Sequence, residues 1–76
     1  MQVYEPREDS YLLQKFVSRY AYGRVLDVGT GSGIQAITAR ENPRVREVVA
    51  IDINAEAVCV FEQKVQKQKL RKIKVF

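Results

Sequence analysis

The sequence predicts an α/β fold with a parallel sheet, running one helix and then β-α-β-α-β. Three observations carry this. Short apolar, β-branched runs alternate with longer segments of helical periodicity. A glycine-rich stretch, Gly29-Thr30-Gly31-Ser32-Gly33, joins the first apolar run to the next helix, and the first two runs carry acids near their ends, Asp27 and Asp52. Strands alternating with helices imply right-handed crossovers and a ligand crevice at the carboxyl ends of the strands.

The elements follow in order. In "REDSYLLQKFVSRYAYG", Leu12, Leu13, Phe16, Val17 and Tyr20 recur every three or four residues, Glu8 and Asp9 open the segment and Gly23 follows it. This predicts an amphipathic helix from Asp9 to Tyr20. Tyr4 and Tyr11 read as core aromatics, with a place in a lid as the alternative. "RVLDVG" reads as a buried parallel strand in which Asp27 is the one polar member. Gly33 to Glu41 places Ile34, Ala36, Ile37 and Ala39 at helical spacing, and Asn42-Pro43 ends it. "EVVAID", Glu47 to Asp52, is a second strand. The helix after it takes Asn54 as N-cap and repeats Val58, Phe61 and Val65 on one side, with Cys59 at a core-like position. "KIKVF" begins a third strand.

At 76 residues and 8.7 kDa the chain is expected to be a single domain over residues 1–76, below the usual mode of about 100–150 residues. Hydrophobic residues at 46% and charged residues at 29% are ordinary globular values and argue against a disordered or disulfide-scaffold class. One cysteine and no histidine leave no internal disulfide, zinc site or histidine-based triad. "MQVYEPREDS" lacks the features of a signal peptide, and no apolar run spans a bilayer, so the cytoplasm is expected and a membrane partner is not. The net charge of +4 resides at the end, where Lys64, Lys67, Lys69, Arg71, Lys72 and Lys74 follow one another without an acid. Such a run fits a solvated helix end or a nucleic-acid footprint.

The glycine stretch follows a strand and opens a helix, so its backbone can approach a ligand closely and its amides can face the ligand's acceptors. Asp52 ends the next strand, where a carboxylate can take both ribose hydroxyls. Together they point to a nucleoside cofactor. The dinucleotide fingerprint wants a small third residue where this chain has Ile34, and the triphosphate loop wants a G-K-[ST] that is absent. The spacing therefore favours a different nucleoside.

"LDVGTGSG" followed by "AIDIN" resembles the first motif and second-strand acid of class I S-adenosylmethionine (AdoMet) methyltransferases, which share a Rossmann-like fold. "VYEPREDSYLL" is similar to the opening motif of the HemK-like members, in the archaeal and eukaryotic branch that methylates a glutamine of a translation release factor. The resemblance covers nearly the whole chain. It implies that Asp27, Gly29, Gly31 and Gly33 line the methionine half of AdoMet, that Asp52 holds the ribose diol and that Ile53 packs on adenine. It also implies that Pro6, Glu8, Asp9 and Ser10 fold over the cofactor, with Ser10 near its carboxylate. Alternatives stand beside these roles: Asp27 as a strand-end carboxylate bonded to loop amides, and Glu8, Asp9 and Ser10 as caps of the first helix.

The family's Asn-Pro-Pro-Tyr segment, which orients the methylated nitrogen, has no counterpart, because Asn42-Pro43 is followed by Arg44. No catalytic residue is assigned. The chain is thus expected to be the cofactor-binding half of such an enzyme, an incomplete fold that is truncated or one piece of a split gene. In the family's sheet order the first strand is central, so "RVLDV" is expected to lack a neighbour and to invite self-association or a second polypeptide. The resemblance also implies a release-factor substrate and a small zinc-binding activator. An amino-methyltransferase acting on nucleic acid, a non-catalytic AdoMet-binding or assembly module, and a dehydrogenase fragment are the other readings.

Overall fold

Residues 8–76, which the computed structural model describes, fold in the order that the periodicity predicts. Helix α1 spans Glu8–Tyr20, strand β1 Gly23–Val28, helix α2 Ile34–Glu41, strand β2 Val45–Ile51, helix α3 Ala55–Lys67 and strand β3 Ile73–Val75. The strands form one parallel sheet in the spatial order β1-β2-β3. Tyr4 and Pro6 lie outside the described residues.

Local chemistry sets the helix ends. The Asn54 side chain accepts a hydrogen bond from the Glu56 amide at 3.0 Å, the N-cap expected there. Lys64 and Lys67 occupy the last turn of α3, where they oppose the helix dipole. Asn42 caps α2 with extended backbone, as a residue before proline prefers.

The core is built on β2. Val45, Val48 and Ala50 are buried against Ala36 and Ala39 of α2, Phe61 of α3 and Ile73 of β3. The two alanines present no bulk, so α2 lies close on the sheet. Val25 of β1 packs at the margin of the same cluster.

The other face of the sheet is apolar and open. Register pairs Leu26 with Val49 and Val28 with Ile51, and Leu26 and Val28 are 62% and 69% exposed. At the amino ends of the strands, Glu47 takes Lys74 at 3.2 Å and Arg24 at 3.8 Å. The expectation of a buried β1 is corrected accordingly. Among the described residues β1 pairs with β2 alone, and a strand is covered on both faces only where elements pack on both.

Helix α1 carries a second correction. It docks on α2 largely through polar groups: Gln14 Nε2 donates to Thr38 Oγ1 at 3.0 Å, and Gln35 Nε2 donates to Ser10 O at 2.8 Å. Asn42 Nδ2 donates to Ala21 O at 2.8 Å and Ser18 O at 3.2 Å, and the Arg44 guanidinium reaches Arg19 O. Val17 joins the margin of the core, whereas Leu12, Leu13, Phe16 and Tyr20 are more than half exposed. Tyr11 is exposed as well, not a core aromatic. Cys59 is likewise exposed, because α3 turns Ala57 and Phe61 inward and leaves the cysteine outward.

Two residues of the basic run are structural. Lys72 Nζ donates to Arg40 O at 3.1 Å and Asn42 O at 3.5 Å, covering carbonyls at the end of α2. Lys74 is the ion-pair partner of Glu47.

Candidate functional site

The carboxyl ends of β1 and β2 place Asp27 and Asp52 on neighbouring strands, since Asp27 lies opposite Ala50 in the register and Asp52 follows two residues later. Between them runs the glycine loop. Its turns need left-handed backbone at Gly29, Gly31 and Gly33, with φ of 69°, 54° and 84°. Side chains with a Cβ seldom adopt this conformation.

The glycines do different work. A Cβ on Gly29 would meet open space, so the backbone there is bare to a ligand. A Cβ on Gly33 would fall 2.2 Å from the Phe61 ring. Gly33 is therefore needed by the contact between the loop and α3. Gly31 is buried, and its amide donates to Asp52 Oδ2 at 3.0 Å.

The loop's amides are turned inward. Gly29 and Thr30 both donate to Ile51 O, at 2.8 and 3.0 Å, and Gly33 donates to Thr30 O at 2.8 Å. The expectation that free amides cradle a ligand's acceptors is corrected at these positions, because the loop folds back on the end of β2. What the site offers instead is negative charge. Asp27 Oδ2 accepts from Thr30 Oγ1 at 2.7 Å. Burial pushes the Asp27 carboxyl above its ordinary 3.8, against the pull of the Thr30 hydroxyl and the Ala36 amide, and the charge of Asp52 adds to the rise.

Asp52 is half-buried, accepting from Gly31 through Oδ2 and from the Asn54 amide through Oδ1 at 2.9 Å. Next to it Ile53 is wholly exposed, an apolar side chain beside the acid with no packing role. Ser10 reaches the same end of the fold through its carbonyl, which Gln35 in the first turn of α2 holds. Glu8 and Asp9 occupy the first turn of α1, and the Asp9 side chain is exposed.

The structure thus gathers Ser10, Asp27, the three glycines, Asp52 and Ile53 at one end of the sheet. Two carboxylates there oppose phosphate and favour a ligand that carries positive charge and donates hydrogen bonds. Thr30, Gln35 and Phe61 belong to this assembly although sequence reasoning assigned none of them a role at the site, Phe61 being expected only on the apolar side of its helix. Thr30 was visible as the hydroxyl between two glycines. Nothing in the linear order pairs Gly33 with Phe61.

Comparison with protein families matches residues 8–76 to the methyltransferase small domain. No curated protein matches the chain.

Proposed function

The chain belongs to the methyltransferase small domain family, and from that premise we propose that it is the AdoMet-binding half of a methyltransferase that modifies a protein glutamine in a translation release factor. The observation that carries the cofactor reading is the pair of carboxylates, Asp27 and Asp52, flanking a loop whose Gly29, Thr30, Gly31 and Gly33 amides bond back into the protein. AdoMet fits that chemistry: a sulfonium and an ammonium for the negative end, ribose hydroxyls for Asp52, and an adenine for the exposed Ile53. When bound, it supplies a methyl group already electrophilic through the sulfonium, and what remains for protein groups is orientation.

The glutamine and release-factor assignment rests on the similarity of Val3 to Leu13 to the HemK-like opening motif. A second polypeptide, or a further copy, completing the sheet at the open side of β1 belongs to the same proposal. A small zinc-binding activator belongs to the same proposal. A nucleic-acid acceptor is the second reading, favoured by the exposed Lys64, Lys67, Lys69 and Arg71. It draws on fewer charges than the sequence offers, since Lys72 and Lys74 are engaged in the fold.

Isothermal titration with AdoMet, S-adenosylhomocysteine and NADH tests the cofactor. Saturable binding of the first two without NADH is expected. Binding of NADH alone transfers the chain to the dehydrogenase reading, and binding of none removes the proposal.

A further inference from the structure

We infer that Asp52 is a positioning residue for the glycine loop as well as a ligand contact: its carboxylate bridges the Gly31 and Asn54 amides and sets the loop's path before any ligand arrives. This rests on the reading of the loop as the cofactor site. Gly31 donates to Oδ2 at 3.0 Å and Asn54 to Oδ1 at 2.9 Å, so each oxygen takes a different amide. One amide comes from the loop and the other from the turn that starts α3.

The bridge has a reason in the backbone. Gly31 sits at φ 54° between two further left-handed glycines, in a segment where every second residue lacks a Cβ and the backbone is correspondingly free to take other paths. Gly29 and Thr30 are anchored to Ile51 O, and Gly33 is anchored to Thr30 O and wedged against Phe61. Gly31 lies between these anchors, and Asp52 is the group that holds its amide. A carboxylate can accept at both oxygens, whereas an asparagine offers one oxygen and turns an NH2 toward the other donor. Oxygen lone pairs not used by the amides stay available for a ribose diol, so the two roles are compatible.

Two measurements on the 76-residue chain test this, the first of them independent of cofactor identity. The first is amide hydrogen exchange of the ligand-free protein, wild type against Asp52→Asn and Asp52→Ala, with Gly29 as internal control because its amide goes to Ile51 O. Loss of a hydrogen bond to a charged acceptor is expected to speed Gly31 exchange by about ten-fold to a hundred-fold while Gly29 is unchanged. Gly31 exchange unaltered in both variants overturns the inference. So does equal acceleration at Gly29 and Gly31, which marks general loosening of the fold. The second is the affinity of wild type and Asp52→Ala for AdoMet and for its 2′,3′-dideoxy analogue. A positioning role weakens both ligands in the variant, whereas weakening confined to the hydroxylated ligand leaves Asp52 a ribose contact and nothing more. If wild type binds neither ligand, the cofactor reading fails, and the exchange measurement still decides the role of Asp52.

Discussion

A single added methyl group tells apart the two kinds of glycine in the loop. Alanine at Gly29 meets open space and carries mainly the cost of left-handed backbone, but alanine at Gly33 also drives its Cβ into Phe61. Strain of about 1–3 kcal/mol from the backbone and a similar amount from overpacking make Gly33→Ala the more damaging change. Urea unfolding is expected to show this order, and Phe61→Leu is expected to return part of the loss in the double variant. Equal losses at Gly29 and Gly33 would remove the packing role. At Asp27 the chemistry is electrostatic. Its folded pKa lies above 3.8, so the folded chain keeps a proton where the unfolded chain has lost it. The associated stability is complete below the unfolded value and is lost as pH rises through the folded one. Asp27→Asn has no such proton to lose, and the stability of wild type relative to this variant is therefore expected to fall as pH rises through that window. A difference independent of pH breaks the linkage. A cation bound nearby lowers the same pKa, so AdoMet titrated in buffers of different ionisation enthalpy is expected to release protons.

Helix α1 shows what periodicity can and cannot reveal. Its three- and four-residue spacing located the helix correctly, and the same pattern located α2 and α3, because those spacings follow from 3.6 residues per turn. Periodicity says which residues share a face, not which face finds a partner. In α3 the apolar side met the sheet and Phe61 became core. In α1 the side with Ser10 and Gln14 met α2, leaving Leu12, Phe16 and Tyr20 outward. The acid and glycine positions of the site were legible because strand, loop and helix fix them locally. The Gly31 bridge and the Phe61 wedge were not, because both join residues far apart in sequence. Since α1 is held by hydrogen bonds, its weak point is Asn42, whose buried amide serves Ser18 O and Ala21 O while its Oδ1 accepts from the Arg44 amide. Asn42→Ala leaves these groups without that partner and is expected to cost about 1–3 kcal/mol. Limited proteolysis is expected to cut first near the junction of α1 and β1, and unchanged proteolysis there would mean that Val17 suffices to hold the helix.

Across the whole molecule, the covered and bare faces of the sheet set how it behaves in solution. Helices lie on the face of Val48 and Ala50, while Leu26 and Val28 stand exposed on β1 and Phe76 stands exposed just after β3. The apolar side of α1 is exposed as well. Beside the bare face runs the outer edge of β1, with backbone groups that no strand among the described residues pairs. A flat apolar face next to an unpaired strand edge favours joining another chain. The ion pairs of Glu47 with Arg24 and Lys74 guard the amino end of the strands alone. The 76-residue chain is therefore expected to show a mass that rises with concentration in sedimentation, and Leu26→Lys with Val28→Lys is expected to return it to a monomer by putting charge in the middle of the patch. These side chains point away from the core, so the paired change leaves the packing around Val48 and Phe61 in place, and circular dichroism of the variant should match wild type. A wild-type chain that stays monomeric and unfolds cooperatively at every concentration would mean that the open edge is tolerated in water and that the fold asks for no partner.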